Sequence, residues 1–429
     1  MNFSNHLQWV SIPLKFLFTD QTTGSWGVEP DTDTGIICIR AADFITNELR
    51  HSKNNLTRRE YELNEIKERQ LQTGDLIIEK SGGGENQPVG RVVSFELNEI
   101  ALCSNFLERL RPNHSILYSR FGAYLLYYLW SNRVVVKFIK QTTGIQNLDS
   151  KDYFSQVVDI PPLSEQKAIA HYLDQETATI DELIKVKKRL LELLNEKRRA
   201  LITHAVTRGL NSDVPMRDSG VEWIGEIPKH WGVLRLRRVL KKMDYGISES
   251  VGIEGKIGVL RMGDIAKGEI NYDKIGFVDN VDNDLILSKD DLLFNRTNSL
   301  DQIGKVAIFR DNFSSPVSFA SYLVRMRCND SVIPEYLNYL LNSLPILTWA
   351  RSEALPAIGQ ANLNPNRYSY VSIPRPPVEE QSKIIEYIKA KTFDINNLFV
   401  LSEKTIDLLQ ERRTSLITAA VTGQLKIME

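Results

Sequence analysis

"PPLSEQKAIAHYLDQETATIDEL", residues 161–183, is matched by "PPVEEQSKIIEYIKAKTFDINNL", residues 376–398. The two stretches lie 215 positions apart in a chain of 429 residues. In that gapless register Pro161, Pro162, Glu165, Gln166, Ile169, Tyr172, Thr177 and Ile180 all meet identical residues. Identity resumes at Leu193, Leu194, Glu196, Arg198, Leu201, Ile202, Thr203, Ala205, Val206 and Thr207, so that "LITHAV" at 201–206 returns as "LITAAV" at 416–421. Chance does not hold one offset over so long a run. Two long copies indicate a duplicated pair of structural units, because a solenoid needs several short repeats.

Each copy reads as a long helix. Pro161 and Pro162 end the preceding chain. Thr179 and Asp394 occupy equivalent positions and are expected N-caps, Thr179 forming a capping box with Glu182. Helix-forming sequence runs on to Thr207, with Gly209 as the expected C-cap. Such a helix is ~40 Å long at 1.5 Å per residue. Ile180, Leu183, Ile184, Leu190, Leu191, Leu194, Leu201 and Ile202 recur at helical spacing, as do Ile395, Leu398, Phe399, Leu408, Leu409, Leu416 and Ile417. An apolar stripe has to be buried, and the other copy is the expected partner.

The remaining sequence repeats more faintly. "GDLIIEKS" at 74–81 resembles "DDLLFNRT" at 290–297, "FLERLR" at 106–111 resembles "YLVRMR" at 322–327, and "IRAADF" at 39–44 pairs with "LRMGDI" at 260–265. "TGIQNL" at 143–148 overlays "IGQANL" at 358–363, again 215 apart. These regions mix short β-rich runs with helices and are punctuated by turn residues, as in "SGGGENQPVG" and "NRTNSLDQIG". "YLLYYLWS" at 124–131 and "YLNYLLNS" at 336–343 read as helices whose Leu and Tyr residues pack a core.

Composition narrows the class. With 42% hydrophobic and 25% charged residues the chain is ordinary globular protein. No apolar run approaches the ~20 residues that span a bilayer, and the opening residues lack the pattern of a signal peptide. A cytoplasmic location without membrane contact is expected. Cys38, Cys103 and Cys328 are scattered and odd in number, which fits reduced thiols. Neither they nor the six histidines fall at metal-ligand spacings, so no metal site is expected. A net charge of −1 does not advertise a polyanion partner. The charge is uneven, however. Between Arg109 and Leu148 no acid occurs, while Arg109, Arg111, Arg120, Arg133, Lys137 and Lys140 are all positive, and Ala354 to Val378 is again acid-free with Arg367 and Arg375. Basic faces of this kind suit phosphate contact.

The run "IPPLSEQKAIAHYLDQ…IDELI…LLNEKRRALITHAVTRGL", followed by "VEWIGEIPKHWGVLRLRRVL" and a second, divergent domain, closely resembles the specificity subunits of type I restriction–modification enzymes. The likeness extends over the whole chain, and its most specific parts are the two Pro-Pro…Glu-Gln segments and "WIGEIPKHW" at 223–231. It implies an α+β fold: two pseudo-symmetric target recognition domains joined by two long antiparallel α-helices that form a coiled coil. The implied boundaries are 1–157 for the first recognition domain, 158–212 for a central spacer, 213–372 for the second recognition domain and 373–429 for a C-terminal spacer. It also implies double-stranded DNA with a bipartite site as the target, two methyltransferase subunits and restriction subunits as partners, and no catalytic residues in this chain. AdoMet, ATP and Mg²⁺ would belong to the partner subunits, with no cofactor here. Two similar readers on one frame meet successive turns of a duplex, ~34 Å apart.

Base-reading side chains are expected on the matched polar loops. In the first domain these are Lys80, Ser81, Asn86, Gln87 and Arg91, with Lys137, Lys140, Thr142, Gln146 and Asn147 from "KQTTGIQN" and its approach. In the second they are Arg296, Thr297, Asn298, Ser299 and Lys305, with Arg351, Gln360 and Asn362 around "AIGQANLN". Amides at these places suit bidentate contact with adenine. The basic runs "KVKKR" at 185–189 and "EKRRA" at 196–200 read as a solvated helix face with i,i+4 pairs.

Other readings are weaker. A coiled-coil adaptor without DNA binding would share the helices but not the matched polar loops. "NPNRY" at 364–368 is one substitution from the Asn-Pro-Pro-aromatic motif of adenine methyltransferases, yet no Gly-rich cofactor loop accompanies it. Asp43 with "EIK" at 65–67 fits a loose nuclease outline that charged helices produce by chance. "SGGGENQPVG" lacks the Gly-Lys-Ser/Thr ending of a phosphate loop.

Overall fold

The computed structural model describes residues 9–30, 35–142, 144–357 and 359–427, with the side chains of Thr142 and Ala357 left out. The chain divides into two compact units, one formed by residues 1–189 with 402–429 and the other by residues 190–401.

The first unit is built on a strand that is buried on both faces. Leu76–Glu79 is inaccessible at every residue and sits inside a six-stranded sheet, between Leu107–Pro112 and Val92–Ser94. Alternation along the strand assigns its side chains. Leu76 and Ile78 face a large core shared with the helix Ser119–Ser131, whereas Ile77 faces a smaller one with Val93, Phe95 and Leu107. Full burial of such side chains stabilises by about 1.5–3 kcal/mol each. Tyr124 and Tyr127 lie in the larger core, as the packing reading of "YLLYYLWS" expects. A three-stranded sheet carries one parallel pairing, Ala101–Cys103 with Ile36–Ile39.

The second unit repeats the plan. Leu292–Asn295 is again wholly buried, with Leu292 and Phe294 in the main core and Leu293 in the smaller one. Ile257–Leu260 runs parallel to Val317–Phe319. Arg111 on Asp75 (2.9 Å) in the first unit corresponds to Arg327 on Asp291 (2.7 Å) in the second. Both carboxylates also accept a turn N–H, from Gln72 and from Ser288.

The repeated segments are helices, Leu163–Arg208 and Val378–Val421, of 46 and 44 residues. The first begins in one unit and ends in the other, and the second does the reverse. In the first unit Ile169, Ala170 and Leu173 share a core with Ile417, Ala420 and Val421. In the second unit Ala205 and Val206 share a core with Ile384, Ile385 and Ile388. Within each unit the start of one helix therefore lies on the end of the other, which is antiparallel pairing. Asp181 and Arg413 continue it with an ion pair (3.1 Å).

Three expectations are corrected here. The helices start at Leu163 and Val378, directly after the prolines, so each is about 65–70 Å long, not ~40 Å. Thr179 and Asp394 are interior residues, and the Thr179 hydroxyl donates to the Gln175 carbonyl (3.0 Å), the way mid-helix threonines satisfy themselves. Burial of the stripe is partial. Ile180, Ile184, Leu194 and Ile395 are covered, but Leu183, Leu190, Leu398 and Leu408 remain exposed. Gly209 does follow the last helical residue with a positive φ (+78°), the backbone expected of a C-terminal cap.

The Glu-Gln pair of the repeated motif anchors each long helix to its unit. Gln166 is fully buried, accepts from the Tyr118 N–H (2.8 Å), and donates to the carbonyls of Ile116 and Pro161 (both 2.8 Å). Gln381 does the same with the Ile333 N–H and the carbonyls of Ser331 and Pro376. Glu165 accepts from the Trp9 indole N–H, and Glu380 from that of Trp231 (3.0 Å), with the His230 imidazole Nε2 2.9 Å from the same carboxylate oxygen. Replacing Gln166 by alanine leaves buried backbone groups without partners and is expected to cost about 3 kcal/mol. A lowered thermal unfolding midpoint checks this, and an unchanged midpoint would show the anchor to be dispensable.

Candidate nucleic-acid interface

In each unit the buried central strand runs straight into a short polar strand at one end of the sheet. Ser81–Gly82 follows Leu76–Glu79, and Thr297–Asn298 follows Leu292–Asn295. Each short strand pairs with a two-stranded hairpin, Ile139–Thr142 with Ile145–Leu148 in the first unit and Leu355–Ala357 with Gln360–Asn362 in the second. The hairpin tips place Gly144 and Gly359 at φ +86° and +73°, where residues with a Cβ are strained. A Cβ at either tip would meet nothing within 4 Å, so both tips project from the protein.

The registers match across the two copies. Ser81 stands opposite Asn147, and Thr297 opposite Asn362. The Ser81 hydroxyl donates to Asn147 Oδ1 (2.7 Å), while Asn362 Nδ2 donates to the Thr297 hydroxyl (3.1 Å). A small hydroxyl thus fixes the rotamer of one amide in each unit, at equivalent points. Beside each amide stands a cation. Lys80 Nζ donates to the Thr23 hydroxyl (2.9 Å), and Arg296 lies over the Tyr245 ring (5.2 Å) with Nη2 on Asn362 Oδ1 (3.3 Å). A fixed amide beside a fixed cation is the equipment that reads a base edge next to a phosphate.

The other expected residues distribute as follows. Asn86, Gln87, Lys137, Ser299 and Gln360 are exposed. Lys140 is exposed and pairs with Asp149 (2.5 Å), whose carboxyl is held below the usual range chiefly by that contact. Asn298 is half-buried, its amide donating to the Met262 carbonyl. Lys305 and Arg351 are half-buried near the loop Ser299–Gln302. Thr142 lies in a hairpin strand, but its side chain is outside the described residues. Two residues turn inward. Arg91 makes a bidentate pair with buried Glu79 (2.7 and 3.0 Å), and Gln146 is buried with Oε1 facing the Val89 N–H.

The acid-free stretch is also less basic at the surface than its sequence. Arg109, Arg111 and Arg120 are paired with Asp20, Asp75 and Asp174, acids that precede or follow the stretch. The exposed positive charges of that run are Arg133, Lys137 and Lys140. Sequence reasoning missed two aromatic side chains. Phe106 and Tyr322 are 46% and 48% exposed, and their carbonyls accept from the N–H groups of Lys80 and Arg296 respectively. Their equivalence was visible in "FLERLR" and "YLVRMR", but nothing in the pattern says that the first residue of each run faces outward.

The enzyme-like outlines dissolve. In "NPNRY", Asn364 Oδ1 caps the short helix Pro365–Ser369, and Tyr368 is fully buried, stacked on Phe294 with centroids 4.1 Å apart. Neither is placed to hold a flipped base. Asp43 closes a turn onto Arg40, and Glu65 accepts from the Ser25 hydroxyl. Among the described residues no cluster of His, Cys, Asp and Glu is arranged to hold a metal ion. No described helix is long and apolar enough to cross a membrane.

Comparison with known proteins agrees with this geometry. Residues 31–193 match the family model of the type I restriction modification DNA specificity domain. The specificity subunit of the EcoKI type I restriction enzyme of Escherichia coli is 24% identical over 335 residues, 76% of this chain and 69% of its own. The specificity subunit named for the MjaX type I restriction enzyme of Methanocaldococcus jannaschii is 28% identical over 205 residues, which spans less than half of either protein (46% and 47%). In fold, the chain superposes with a TM-score of 0.75 and 14% identity on a chain solved to explain complex assembly and conformational transition of the type I R-M system, covering 99% of this chain and 100% of that one. The doubled hairpin sheet, the paired long helices and these matches together make the chain similar, in sequence and in fold, to the specificity subunits of type I restriction–modification enzymes.

Proposed function

We propose that this protein reads a bipartite site in double-stranded DNA, one half with each unit, and that the paired long helices set the distance between the halves. The observation that carries this is the duplicated hairpin sheet, in which Asn147 and Asn362 are held by Ser81 and Thr297 at equivalent places. Residues 1–157 and 213–372 act as the recognition domains, and 158–212 and 373–429 as spacers. Exposed Lys137 and Lys140, half-buried Lys80 and Arg296 and their neighbours neutralise phosphates, Asn86, Gln87, Gln360 and the two fixed asparagines approach base edges, and Phe106 and Tyr322 pack against them. Arg91 and Gln146, turned inward, support the loops from behind.

Methyl transfer and ATP-driven cleavage belong to partner subunits, which carry AdoMet, ATP and Mg²⁺. Exposed Leu183, Leu193, Leu398 and Leu408 along the long helices offer apolar contact area on which two methyltransferase subunits dock. Restriction subunits complete the assembly, which works in the cytoplasm.

Replacing Asn147 or Asn362 by alanine tests the reading. Each change is expected to relax discrimination in one half-site, costing about 1–3 kcal/mol there and nothing in the other. Competition binding with duplexes altered in one half at a time measures this. Loss spread equally over both halves would contradict independent readers.

A further inference from the structure

The recognition loop of the second unit is backed by the helix Leu344–Glu353. Gly304 lies so close to it that a Cβ would fall 2.6 Å from that of Ala350. This approach sets Lys305 beside the turn that carries Arg351. Lys305 Nζ donates to Gln302 Oε1 (2.6 Å), and Arg351 Nη2 reaches the Asp301 carbonyl (3.3 Å). Arg351 Nε is buried without a hydrogen-bond partner. A third cation comes from the first long helix. Arg199, exposed, lines a groove of about 510 Å³ together with Leu344 and Pro345 at the start of the same short helix.

Two of these charges bear on the third. The Lys305 ammonium is held below its ordinary range, first by burial, with Asp301 opposing the fall and Arg351 and Arg199 adding to it. Two acids are near. Asp301 accepts from the Ser299 hydroxyl (2.6 Å) and the Gln302 amide (2.5 Å), and Glu196 lines the groove one turn before Arg199. They leave the cluster positive. Like charges held together in this way weaken the fold unless an anion joins them. The first unit has no counterpart. Arg199 corresponds to Thr414, whose hydroxyl returns to the Gln410 carbonyl (3.1 Å), and Lys305 corresponds in the strand pairing to Arg91, whose charge is already neutralised by buried Glu79.

We propose that Arg199, Lys305 and Arg351 together bind one backbone phosphate of the duplex, flanking the half-site read by the second unit. A spacer helix then contributes to the grip on DNA, and on one side alone. This rests on the DNA-reading function proposed above. The position fits a phosphate rather than a base, because the cluster adjoins the loop Ser299–Gln302 and offers cationic donors in place of paired donors and acceptors.

The test uses the full chain assembled with its methyltransferase subunits, a duplex carrying its mapped site, and a duplex with the second half-site scrambled. Affinity is followed over roughly 50–300 mM salt, the range in which counterion release dominates. Arg199→Ala is expected to weaken binding about 3- to 10-fold at the low end and to flatten the log–log salt slope by about 0.9, equally on both duplexes. Arg199→Lys keeps the wild-type slope, Thr414→Ala changes nothing, and the thermal midpoint of Arg199→Ala does not fall. A wild-type slope in Arg199→Ala overturns the phosphate site while leaving DNA reading intact, as does weaker binding accompanied by a lowered midpoint. If the wild-type assembly shows no salt-dependent binding to the site, the DNA-reading function fails and this inference with it.

Discussion

A helical insertion of seven residues after Lys188, in the first long helix alone, is expected to abolish modification of the natural DNA site. The helices pair antiparallel inside both units, with Asp181 on Arg413 in one and Ala205 and Val206 beside Ile384 and Ile385 in the other. Seven residues add two turns and about 10 Å to one helix. The partner helix has no matching length, so the pairings on the two sides of the insertion cannot both form. Whichever gives way leaves apolar residues or a charge uncovered, and breaking the Asp181–Arg413 pair alone costs on the order of 3 kcal/mol. A matching insertion after Leu401 restores both pairings. The doubly lengthened protein should fold, recognise the same two half-sequences, and require a gap of different length between them. Methylation mapping reads the outcome. Continued modification of the natural site by the single insertion would show that helix length does not set the spacing.

Exchange of residues 213–372 for the corresponding domain of another specificity subunit is the second large effect. The second unit has its own cores and its own hairpin sheet, and Gln381 and Glu380 hold it to the first turns of the long helix that follows. Those anchoring residues lie outside the exchanged segment. The chimera should therefore keep the first half-sequence and replace the second completely, since discrimination of each base pair is worth about 1–3 kcal/mol and resides in the exchanged loops. A chimera whose two half-sequences both change would mean that recognition is shared between the domains.

How much of this was legible in the sequence depended on the range of the interactions. The long helices were evident because a stripe at helical spacing is a local pattern, and the duplication was evident because Pro161 to Val206 keeps one offset. The stretches around Gly144 and Gly359 were legible as matched polar loops, and the structure makes each of them a hairpin. What failed was whatever depends on distant partners. Arg109, Arg111 and Arg120 looked like a basic face, but the acids that pair with them lie 89, 36 and 54 positions away. Thr179 carried a cap signature, yet a local signature cannot show that Pro162 and the buried Gln166 have already started the helix sixteen residues earlier. The Trp9–Glu165 and Trp231–Glu380 contacts are equivalent, but the tryptophans are 222 positions apart while the glutamates are 215 apart, so no single offset reveals them. Of the expected site, the matched polar strands came together as pairs, whereas Arg91 and Gln146 could not be told from their outward neighbours without knowing which face Glu79 and Val89 occupy.

The most direct measurement is a genome-wide map of methylated adenines in cells that carry this gene and in the same cells without it. The expected result is that one two-part sequence with an undefined gap of constant length is modified in the first and unmodified in the second. An unchanged map, or loss of a short continuous motif with no gap, would contradict a reader built from two heads on a common ruler.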